Sequence, residues 1–153
     1  MNPLQASRIL PDLQCSLVCE EIRQEMSGSF ILIGVVNFIR VPQLPVVAIK
    51  LGIFNRWTAG VGQFTESVRL VAPDQTTVLR QGEVKFALQD ANYHATNVTM
   101  FPQVEFKVPG TYFVEVLVDD VMKIRYPVPL ILAPQQQQGG NPPAAPAGPA
   151  PAP

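Results

Sequence analysis

Apolar residues recur at every second position through most of residues 13–132, and no eleven-residue window carries a clean helical stripe. A side-chain period of two belongs to strands that bury one face, so this pattern confines the body of the chain to sheets. The alternation is plainest in Thr111 to Val118, where Tyr112, Val114, Val116 and Val118 share a face. Phe64 to Val71 sets Phe64, Glu66, Val68 and Leu70 against Thr65, Ser67, Arg69 and Val71.

The remaining strands follow from the same reading. Leu13 to Glu20 places Leu13, Cys15, Leu17 and Cys19 on one face, and polar residues 21–27 lead to a turn at Gly28. Phe30 to Ile39 is a nearly continuous, β-branched apolar run of the kind a central strand shows. Val46 to Trp57 aligns Val47, Ile49, Leu51 and Ile53. Thr77 to Arg80 and Glu83 to Gln89 form two strands or one bent strand, depending on Gly82. Val98 to Phe101 is a short strand ahead of Pro102, and residues 90–97 are irregular. Asp119-Asp120 separates Thr111 to Val118 from Val121 to Leu132 by the two residues of a tight hairpin. Pro127 and Pro129 cannot donate to a ladder, so that last strand belongs at a sheet edge. Eight or nine short strands with turn signals roughly every ten residues read as an all-β, antiparallel, immunoglobulin-like sandwich.

With 153 residues, the chain has room for one such domain, spanning residues 13–132 behind an N-terminal arm of residues 1–12. Seven of the sixteen prolines fall in residues 133–153, a Gln/Pro/Ala-rich segment with no charge and nothing large to bury. Ordering entropy is unopposed there, which predicts a disordered tail. A net charge of −1 argues against nucleic-acid or anionic-membrane binding, and no apolar run is long enough to span a bilayer. The first residues lack the cationic start and apolar core of a secretory signal, so a cytoplasmic location is expected, with Cys15 and Cys19 as free thiols. On one strand they stand ~13 Å apart, beyond disulfide reach.

Two stretches resemble a known family. Cys19-Glu20-Glu21-Ile22-Arg23 with Gly28-Ser29-Phe30 and Ile33-Gly34-Val35 is similar to the start of a family of small uncharacterised bacterial β-sandwich proteins. Pro109-Gly110-Thr111-Tyr112-Phe113-Val114 with Val118-Asp119-Asp120 looks like its closing hairpin. The resemblance implies the immunoglobulin-like fold and carries no activity.

Material for catalysis is sparse. His94 is the single histidine, and no nucleophile elbow accompanies it. No cofactor is expected: Gly60-Val61-Gly62 lacks the third glycine of a dinucleotide fingerprint and does not open a helix. Non-catalytic assembly or partner binding is therefore the expected function, with a protein partner or self-association through an exposed sheet edge. The expected binding residues are Ile124 on the last strand and Arg56-Trp57, residue types common at interface anchors. The alternative is a sugar- or calcium-binding module. If Gly82 divides two strands, Asp74, Asp90, Asp119 and Asp120 gather at one end of the sandwich, where their oxygens would suit Ca²⁺. If residues 77–89 are one strand, Asp74 lies at the opposite end.

Overall fold

A computed structural model describes residues 8–133. It is all-β: β1 (Asp12–Gln24), β2 (Phe30–Val35), β3 (Ile39–Val41), β4 (Val46–Thr58), β5 (Gly62–Val71), β6 (Val78–Leu88), β7 (His94–Phe106), β8 (Gly110–Val118) and β9 (Val121–Leu132). One sheet has the order β2-β1-β4-β7 and the other β3-β9-β8-β5-β6. A single apolar core joins them, with Val18, Ile53, Trp57, Phe101 and Val104 from the first sheet and Phe64, Val68, Leu70, Val114, Val116 and Val128 from the second. Among the described residues no helix is long and apolar enough to cross a membrane. The expected disordered tail lies, beyond Ala133, outside the described residues.

Several strands run differently from the pattern reading. β1 continues to Gln24, because its second half pairs with β2 (Glu21↔Ile33, Arg23↔Ile31) after its first half has paired with β4. A register shift between Leu13 and Cys15 breaks the single apolar face expected there, so Leu13 reaches the core while Cys15 is only half-buried. The run from Phe30 to Ile39 is two strands: the chain leaves one sheet at Val35, Val36 donates to the Val18 carbonyl (2.7 Å), and β3 joins the other sheet. There β3 pairs with β9 in parallel, the exception to the antiparallel expectation.

β6 is one strand, unbroken at Gly82. Gly82 is there for close approach: a Cβ would fall 2.8 Å from Thr99 Cγ2 and 3.6 Å from Phe101 Cε1, both on β7. β7 is one long strand through Pro102. The ladder with β4 skips from Leu51↔Phe101 to Ile49↔Val104, and Gln103 takes φ 50°, so a bulge on an edge strand absorbs the proline.

The last strand is not the outermost one. β3 lies outside β9 but covers only Leu130–Leu132. Ala133 N–H donates to the Val41 carbonyl (2.9 Å), which sets the odd-numbered positions at this end of β9 facing outward, away from β8. Pro127 and Pro129 share that parity. Their nitrogens face the side that has no ladder, because β3 begins to pair only at Leu130.

Candidate functional site

The segment Val121–Tyr126 pairs with β8 on one side and with no described strand on the other. Its hairpin is tight: Val118 faces Val121, and Asp119 (φ 45°) and Asp120 (φ 65°) both adopt the left-handed region that a mirror-image two-residue turn requires. Val116 pairs with Ile124 and Leu117 with Met122, so Lys123 is the extra residue of a bulge. The bulge takes Lys123 and Arg125 out of simple alternation along β9. Arg125 instead lies over the Phe113 ring at 4.4 Å and 3.7 Å from Glu115, which Arg69 also approaches at 3.1 Å. Val121, Met122 and Ile124 are exposed, Ile124 by 38%. Tyr126, next on the inward side, is held by Ser16 of β1 (Oη to Oγ, 2.9 Å), and burial pushes its hydroxyl up to about 12.

The same side of the molecule carries β2, the outer strand of the other sheet. It leans on β4 through Phe30, edge-on to Phe54 at 5.8 Å, and the paired Ile22 lies over Gly52, where a Cβ would fall 2.9 Å from Ile22 Cδ1. Ile31, Ile33 and Val35 are exposed beside it.

Arg56 and Trp57 do not form a surface anchor. Trp57 is fully buried, stacked on Phe86 at 5.5 Å, with its indole N–H donating to Glu66 Oε1 at 3.2 Å; Arg56 is half-buried beside it. Alternation explains this, since Trp57 continues the inward face of Ile53 and Asn55.

Trp57 belongs to a buried polar cluster absent from the expected site residues. Glu66 of β5 is fully buried between the sheets, and Asn55 Nδ2 donates to its Oε1. Asn97 of β7, opposite Asn55, brings a second amide. Burial raises the Glu66 pKa above the ordinary 4.5, against the hydrogen bonds from Asn55 and Trp57. Glu66 Oε2, Asn55 Oδ1 and Asn97 Nδ2 have no partner among the described residues. The signal was visible: Glu66 sits in phase with Phe64, Val68 and Leu70. Asn97, opposite Asn55, is itself buried.

The four acidic turn residues are not brought together. Because β6 is one strand, the β5–β6 turn puts Asp74 at one end, while β8 closes at the other end against the start of β5 (Glu66↔Val118). Asp74 caps its own turn, accepting from Thr76 and Thr77 N–H at 2.9 and 2.8 Å, and these bonds with the Thr77 hydroxyl hold its carboxyl down at about 2. Asp90 accepts from Asn92 N–H at 2.8 Å. Asp119 accepts from Thr65 N–H at 2.9 Å and pairs with Arg8, which also lies 5.0 Å above Phe64. A cleft of about 490 Å³ beside Phe64, Phe86 and Lys85 includes Asp119 alone of the four. Among the described residues no three His, Cys, Asp or Glu side chains are grouped to hold a metal ion. His94 opens β7 opposite Thr58 and is exposed. Cys15 and Cys19 are free, and burial raises the Cys19 thiol.

The chain matches none of the curated proteins compared with it. Residues 14–131, from within β1 to the next-to-last residue of β9, match one family model, and the chain belongs to that family of unknown function, DUF6941.

Proposed function

We propose that this protein is a non-catalytic, immunoglobulin-like β-sandwich that works by association, accepting an extended strand of a protein partner along the free edge of β9. The observation that carries this reading is the short reach of β3: it stops at Leu130, and the outer side of Val121–Tyr126 pairs with no described strand, with Val121, Met122 and Ile124 exposed. Free edge backbone gives affinity by main-chain hydrogen bonds, and flanking side chains select the partner. Lys123 and Arg125 make a partner strand with acidic side chains the best match, and a cytoplasmic setting agrees with the two free thiols.

The parity of β9 names the substitution that tests it. Ile124 is opposite Val116, and its N–H belongs to the β8 ladder, so proline there would break the sheet itself. Arg125 shares the outward parity of Pro127 and Pro129. Arg125→Pro should abolish partner capture in a pull-down from the native cell with full retention of the fold, while Arg125→Gln should weaken it only modestly. Undiminished capture by a folded Arg125→Pro variant would exclude this edge.

A further inference from the structure

The two free edges on this side of the molecule are built differently. Along β9, a bulge at Lys123, the cation of Arg125 and two prolines all oppose indiscriminate pairing. β2 carries no such device. Phe30-Ile31-Leu32-Ile33-Gly34-Val35 has no charge and no proline, and the nearest charges along the chain are Glu25 and Arg40. Its one irregularity is Gly34, at φ 66°. Its only ladder among the described strands is with β1, and Ile31, Ile33 and Val35 are 41%, 37% and 49% exposed.

We infer that β2 pairs antiparallel with β2 of a second copy of this chain, joining the two four-stranded sheets into one continuous sheet. The occupant follows from charge and symmetry. In a two-fold pair each strand meets its own sequence, so any charged residue close to the axis faces its like, and like charges opposite one another destabilise a ladder. β9 would bring Lys123 and Arg125 against the same cations; β2 brings none. Residues directly opposite in an antiparallel pair share a face, so the axis passes through a residue. Centred on Ile33, it sets Ile33 against its own counterpart and Ile31 against Val35, an apolar row along the exposed face. The neighbouring row on β1 does not oppose this, because Glu21 and Arg23 neutralise each other at 3.0 Å. This inference is independent of the β9 reading and can fail or hold without it.

One strand pair is a small interface, below the roughly 1,000 Å² of a stable complex, so association belongs in the micromolar-to-millimolar range. Sedimentation of the full chain over that range should show a monomer–dimer equilibrium. Ile33→Lys, at a site already exposed, should weaken it by at least about tenfold, since two ammonium groups then meet at the axis. Arg125→Pro should leave it unchanged. A cross-link needs no disruption of the strand: Ile33→Cys should give an interchain disulfide under mild oxidation, and Val121→Cys should not. A wild-type chain that stays monomeric throughout, a dimer that survives in folded Ile33→Lys, or equal cross-linking of the two cysteine variants would each overturn the inference.

Discussion

Along one side of this sandwich the two sheets meet; along the other they part. On the closed side, Gly82 of β6 admits Thr99 and Phe101 of β7. The Arg80 guanidinium then reaches across to the Pro102 and Gln103 carbonyls at 2.9 and 3.0 Å. Two carbonyls at the β7 bulge are thus satisfied by a side chain of the facing sheet. On the open side, β2 and most of β9 have no second neighbour among the described strands, and nine of the sixteen exposed large apolar residues described lie on β9 or between Ile31 and Phe38. An edge sealed by its own chain serves stability, whereas an edge left with apolar side chains is a surface for another strand. The two sides should therefore answer differently to substitution.

The largest contrast is between Trp57 and Ile124, both read from sequence as interface residues. Trp57→Ala empties a fully buried site against Phe86 and removes a hydrogen bond to Glu66, and should lower unfolding free energy by about 3–5 kcal/mol in denaturant titration. Ile124→Ala, at the open rim, should change it by less than about 1 kcal/mol. Equal losses at the two positions would erase the distinction between the sides. Next in size is Gly82→Val. Thr99 and Phe101 leave no room for its methyls, so overpacking should destabilise by about 1–3 kcal/mol and leave self-association through β2 unchanged.

Much of the architecture was legible because a period of two survives in any sheet. β5, β8 and β9 and the Asp119-Asp120 hairpin lie close to where alternation places them. The misplacements share one cause: alternation reports which face is buried and not which strand lies alongside. β1 reads as ending at Glu20 because Glu21, Arg23 and Gln24 break the apolar alternation, whereas the ladder with β2 carries the strand on. Pro102 reads as a terminator because the sequence does not show that β7 is an edge strand with a bulge to spare. The prolines of β9 read as placing it at a sheet edge, but β3 lies outside it and pairs just past them, at Leu130–Leu132. Trp57 is buried because its phase matches Ile53, and phase outweighs the interface preference of its residue type. Glu66 follows the same rule: its phase with Phe64 and Val68 places a carboxyl in the core.

That carboxyl gives the smallest effect and the one most specific to the interior. Glu66 Oε1 accepts from Asn55 and Trp57, while Oε2 and Asn55 Oδ1 stand as two bare buried acceptors, an arrangement relieved when the carboxyl carries a proton. Burial accordingly raises its pKa in the folded chain. The folded state then holds this proton more tightly than the unfolded chain, whose glutamates titrate near the ordinary 4.5. The resulting stability is complete below that value and is lost as pH rises through the raised folded pKa. Asp74 acts in the opposite sense and lower down: its carboxyl is held at about 2, so its contribution is present above 3.8 and fades only as pH falls toward 2. The two windows do not overlap, so denaturation midpoints measured upward from pH 4.5, and stopped below the range where the raised Cys19 thiol contributes with the same sign, separate Glu66 from Asp74. The wild-type midpoint should fall with rising pH, and Glu66→Gln, which keeps the shape and cannot ionise, should flatten that slope. An unchanged slope in the variant would mean that Glu66 is ionised in the folded protein and that the bare oxygens are met some other way.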